Sequence, residues 1–131
     1  MKLLMLDTDV SSYIIRRRPE SLAQHFERHA DEICVSVITA AELRFGVENS
    51  KSTKLADLVE SFLERLSVLD WTQAVTPHYA RIRAALERNG RPIGNADLMI
   101  AAHAVSEGAT VVTNNVRHFV NVPGLKVQEW T

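Results

Sequence analysis

Three short apolar runs with no polar alternation, Lys2–Leu6, Ile33–Ser36 and Thr110–Thr113, constrain what this chain can fold into more than anything else in it. A strand that does not alternate must bury both faces, and that happens in parallel sheets covered by helices on either side. Between these runs the apolar residues fall at helical spacing. Asp9 to Arg17 reads as a helix with Asp9 as its cap, and Pro19 opens a second helix to about His29. Thr39–Val47 follows, and then Lys54–Leu66, where Leu55, Leu58, Val59, Phe62, Leu63 and Leu66 form one apolar stripe; the pair suggests a helical hairpin. Ala74–Asn89 is stopped by Gly90 with Pro92 beyond, and the mostly apolar helix Ala96–Glu107 by Gly108. Ser67–Leu69 is a short strand candidate, and the alternating Leu125–Glu129 suits a sheet edge. Strands alternating with helices predict an α/β layer fold with right-handed crossovers.

With 131 residues, 46% of them hydrophobic, the chain can bury one sizeable core, so a single domain over 1–131 is expected. Asp7 and Asp9 cut the apolar start from Met1 far short of a signal-peptide core or a membrane span, which makes the cytoplasm the expected compartment. The single cysteine, Cys34, lies inside an apolar run and has no disulfide partner, as a core residue would. A net charge of −1 gives no global signature of a nucleic-acid binder. Any such site must be a local patch, for which Arg16, Arg17, Arg18, Arg81, Arg83, Arg88 and Arg91 are available, although charge runs also serve simply as solvated faces.

In an open parallel sheet ligands collect beyond the carboxyl ends of the strands, so polar residues there are the first candidates for chemistry. Asp7 ends the first strand, Glu42 lies early in the helix after the second, Asp97 opens the helix before Thr110–Thr113, and Asn115 lies just past that strand. Each also has a structural role open to it. Asp7 can cap a turn, Thr39 and Glu42 have the spacing of a capping box, Asp97 suits a helix N-terminus and Asn115 a turn. Brought together, three carboxylates ~5 Å apart would repel by about 3 kcal/mol per pair at an effective dielectric of ~20. The total approaches the about 5–15 kcal/mol stability of a whole domain, so some must protonate or hold a cation. An all-oxygen site without nearby Cys or His selects Mg²⁺, or Mn²⁺, over zinc. The chemistry expected of it is in-line hydrolysis of a phosphodiester, leaving 5′-phosphate and 3′-hydroxyl ends.

The stretches MLDTDV (5–10), SVITAAELRFGVENS (36–50), RPIGNADLMIAAHAVSEGATVVTNN (91–115) and HFVNVPGL (118–125) resemble the PIN-domain family, and within it the VapC toxins, especially those specific for initiator tRNA. The likeness covers nearly the whole chain, in order. It implies a three-layer α/β/α sandwich with a central parallel sheet, and an Mg²⁺-dependent endoribonuclease that cuts tRNA, in the anticodon region of the initiator. It implies also a homodimer and inhibition by a VapB-type antitoxin that threads a peptide into the cleft. The family's metal-binding acids fall on Asp7, Glu42 and Asp97, and Thr113 matches the hydroxyl of its last motif. Asn115 stands where many members have a fourth acid; its amide oxygen can still ligate a metal or orient water. The stripe from Leu55 to Leu66 then suits an antitoxin groove or dimer face as well as an ordinary core.

Three other readings compete. Asp7-Thr8-Asp9 after a strand is similar to the Asp-x-Asp motif of haloacid dehalogenase-like phosphatases, with Asp7 as nucleophile, but Thr113-Asn114-Asn115 supplies none of the later acids that family needs. A non-catalytic binding module would use the acidic cleft only to hold a basic peptide. A metal-free, histidine-based nuclease would need two of His25, His29, His78, His103 and His118 to meet, which no spacing fixes.

Overall fold

The structure, a computed structural model, describes residues 2–130; Met1 and Thr131, the ends of the expected domain, lie outside the described residues. The three non-alternating runs become the central strands: β1 (Leu4–Leu6), β2 (Ile33–Ser36) and β4 (Thr110–Val112), with β3 (Ser67–Leu69) and β5 (Lys126–Gln128) at the edges. The order is β3-β2-β1-β4-β5 and every pairing is parallel. Period-two geometry sends alternate residues to opposite faces. Leu4 and Leu6, with Ile33, Val35 and Val112, pack against α1 (Thr8–Ile15), α2 (Glu20–Arg28), α3 (Val37–Ser50) and α4 (Thr53–Glu64). Met5, Cys34 and Val111 face α5 (Thr76–Arg88), α6 (Asn95–Glu107) and the short α7 (Val116–Phe119). The result is the three-layer α/β/α sandwich, with Cys34 in its core as expected. No described helix is long and apolar enough to cross a membrane.

Two helix starts differ from expectation. Asp7, not Asp9, caps α1, its carboxylate accepting from the Val10 amide at 2.8 Å. Ser36, not Thr39, caps α3 by accepting from the Ile38 amide, so there is no capping box and Glu42 sits inside the helix, free of that role. The expected hairpin of α3 and α4 is present and is braced by a two-toothed ion pair from Arg44 to Glu60.

Candidate active site

Because all strands run the same way, their carboxyl ends share one edge, and three of the four sequence-derived site residues gather around it. Asp7 continues β1, its amide donating to the Val112 carbonyl at 3.0 Å, and its side chain is only 3% exposed. Burial pushes its carboxyl up to about 6; the Thr113 hydroxyl and the Val10 amide oppose this, while the charges of Asp9 and Asp97 add to it. Above it opens a cleft of about 330 Å³ lined by Thr8, Asp9, Glu42, Asn95 and Asp97. Glu42, half-buried on the second turn of α3, accepts from the Thr8 hydroxyl. Asp97, in the first turn of α6, is also raised by burial; the charge of His118 opposes this and that of Asp9 reinforces it. The His118 ring donates to it from Nε2 to Oδ2 at 2.8 Å.

Asn115 lies apart. It precedes α7, its amide donates to the Thr113 hydroxyl at 2.9 Å, and its side chain lines a neighbouring pocket with Arg91 and Arg117. Asp9 and His118, in turn, are cleft residues that the sequence does not single out as such. Asp9 reads in sequence as the cap that Asp7 makes; with Asp7 as the cap, residue 9 falls in the first helical turn beside the cleft. His118 opens one of the stretches that carry the resemblance, but its pairing with Asp97 gives no signal in sequence, since the contact joins α7 to α6 across 21 residues.

Asp7, Asp9 and Asp97 within electrostatic reach of one another, two of them held above their ordinary range, with Glu42 on the wall of the same cleft, are a donor set suited to a hard divalent cation. Among the described residues no three of them converge on one point, because Glu42 is turned to Thr8 and Asp97 to His118. The chemistry of the set therefore fits a metal, with side-chain rotation needed to close around it. The phosphatase reading gains no partner acids here, since the chain beyond β4 is Thr113-Asn114-Asn115. The histidines do not assemble a metal-free site either: His25 and His29 stack with Trp130, and His103 is buried against Ser36.

Comparison with known proteins agrees with this architecture. The PIN domain family's sequence profile matches residues 4–125. The chain is 42% identical over 127 residues to Ribonuclease VapC2 of Haemophilus influenzae, and 42% identical over 128 residues to the tRNA(fMet)-specific endonuclease VapC of Salmonella typhimurium, with 96% of both chains covered in each case. Among solved structures it superposes on a chain of DNA-bound VapBC from Salmonella typhimurium with a TM-score of 0.92 at 40% identity, over 100% of both chains. On a strand order, a cleft and an identity that all agree over almost its full length, the chain belongs to the PIN-domain family and, within it, to the VapC group.

Proposed function

We propose that this protein is the toxin of a type II toxin–antitoxin pair: a cytoplasmic endoribonuclease dependent on Mg²⁺, or Mn²⁺, that cuts tRNA. The observation that carries this reading is the buried Asp7 at the end of the central strand, its carboxyl pushed up to about 6 beneath the charges of Asp9 and Asp97. At neutral pH a carboxyl in that state is mostly ionised although burial and the neighbouring charges oppose its charge, so a bound cation would stabilise it. Asp7, Glu42 and Asp97 are the residues that would hold the metal, with Asp9 a fourth acid at the rim. When bound, such an ion polarises a phosphoryl oxygen and makes water nucleophilic near neutral pH.

The chain's own residues set the geometry. The Val10 amide fixes one oxygen of Asp7, while Thr8 holds Glu42 and His118 holds Asp97 at the wall of the cleft, contacts that the two acids would release to close on the ion. Asn115 contributes a polar contact to the substrate beside the cleft. The names of the relatives support RNA as the substrate, and those from Salmonella typhimurium and Shigella flexneri support the initiator tRNA. The solved VapBC complexes of Rickettsia felis and Salmonella typhimurium support a VapB-type antitoxin as partner, and a homodimeric toxin is part of the same proposal. The apolar groove formed by Ile14, Ile15, Phe26, Leu58 and Phe62 between α1, α2 and α4 suits the antitoxin peptide.

The test incubates antitoxin-free protein with total tRNA in Mg²⁺ or EDTA, alongside Asp7→Asn and Asp97→Asn. Discrete fragments with 5′-phosphate ends, made only by wild type with metal, are expected, with each variant at least ~100-fold slower. Folded wild-type protein that cuts no RNA in Mg²⁺, or with Mn²⁺ substituted for it, would leave the binding-module reading in its place.

A further inference from the structure

An acidic cleft is a poor receiver for a polyanion. Even when a cation neutralises part of the charge at the reacting phosphate, the phosphates on either side still approach four carboxylates, and the net charge of −1 offers no general attraction. A strand of RNA needs a cationic seat beside the cleft.

The structure provides one. Beyond the carboxyl end of β4 lies a wide pocket of about 540 Å³ lined by Arg91, Asn115, Arg117, His118, Val120 and Asn121. It shares a wall with the acidic cleft, because His118 faces this pocket while its Nε2 contacts Asp97 on the cleft side. Arg17, Arg44, Arg65 and Arg83 each rest on a glutamate at 2.6–2.9 Å, which leaves them little charge to offer a ligand. Arg91 and Arg117, like Arg16, Arg18, Arg28, Arg81 and Arg88, have no carboxylate within ion-pair distance among the described residues, and of these arginines they are the two that line this pocket. They come from separate elements, the loop before α6 and α7 itself, yet open onto the same space. Two guanidinium groups flanked by the amides of Asn115 and Asn121 make a donor set matched to the oxygens of a phosphodiester. Val120, 63% exposed, adds an apolar surface where a ribose or base edge can rest.

We propose that this pocket binds the RNA backbone through a phosphate neighbouring the one that is cut, with Arg91 and Arg117 as its anchors. The proposal rests on the ribonuclease reading for its substrate, but binding can be measured without cleavage. The probe is a fluorescent single-stranded oligoribonucleotide titrated in EDTA against wild type, the double variant Arg91→Ala/Arg117→Ala, and a charge-matched control, Arg28→Ala/Lys54→Ala, on the opposite helical layer. The pocket variant is expected to bind at least ~10-fold more weakly, with the slope of log K against log salt smaller by about 0.7 for each phosphate it no longer neutralises. With Mg²⁺ its KM for cleavage should rise far more than its kcat falls. Affinity and salt slope matching the charge-matched control would overturn the proposal. Cleavage by wild type together with unchanged binding by the pocket variant removes the pocket and keeps the nuclease. Pocket-dependent binding without any cleavage does the reverse.

Discussion

At the scale of single residues, Asp7 sets the terms. Its carboxyl titrates near 6 in the folded protein against 3.8 in the open chain, so between those values the native state holds more protons than the unfolded one. Stability without metal therefore falls as pH rises from about 4 to 6 and stays low above that, a cost of about 3 kcal/mol for a shift of roughly two units. Asn in its place carries no charge and still presents an oxygen to the Val10 amide, since Asn caps helices as well as Asp does. Urea unfolding in EDTA should find Asp7→Asn more stable than wild type by up to about 3 kcal/mol at pH 7.5, with the difference vanishing near pH 4. A variant no more stable at pH 7.5 would mean that the carboxylate is solvated in the native state. Asp7 was legible in the sequence because an acid ending a non-alternating run is conspicuous. Asp9 was not, since one capping position had two candidates and only the backbone decides between them.

At the scale of the element, α3 shows how a helix that carries a candidate site residue is held at one end and strained at the other. Its start is anchored twice: the Ser36 hydroxyl caps the Ile38 amide and also meets the buried His103 ring of α6 at 2.8 Å, which ties the helix bearing Glu42 to the helix bearing Asp97. Ser36→Ala removes the cap and leaves Nδ1 of His103 without that partner, so a loss of about 2–3 kcal/mol in chemical denaturation is expected. The end of α3 is strained instead, because Lys51 adopts the left-handed conformation at φ 57°. Lys51 is exposed and Gly accepts that geometry, so Lys51→Gly should raise stability by up to about 1 kcal/mol in the same assay. The body of α3 was readable from Thr39 to Val47, whereas the true start at Val37 was hidden by Ser36, which serves as the last strand residue and the first cap at once. The α7 helix was missed for a related reason. Four residues are too few to show a period, and they are placed by packing, with Phe119 buried against the α5–α6 layer.

For the whole molecule, the parallel sheet carries the functional consequence. Five strands pointing the same way deliver Asp7, Asp9, Glu42 and Asp97 to one edge, where the burial of Asp7 and Asp97, with the charge of Asp9 beside them, is a standing cost to the fold. A ligand that relieves this cost in the native state alone must stabilise the entire domain by mass action. If the cleft holds Mg²⁺, a concentration 100 times the dissociation constant contributes about 2.7 kcal/mol. With an unfolding entropy of about 2.1 cal/mol/K per residue, that corresponds to a rise in Tm of about 10 °C for 131 residues. The rise should be present at pH 7.5 and much smaller at pH 5, where Asp7, titrating at about 6, is mostly protonated and the proton competes with the ion. Asp7→Asn and Asp97→Asn should start from a higher metal-free Tm and gain little from Mg²⁺. Differential scanning calorimetry of the three proteins at both pH values measures each of these quantities. A wild-type Tm indifferent to Mg²⁺ and to Mn²⁺ at pH 7.5 would mean that the cleft binds neither ion, and the metal-dependent reading would fall with it.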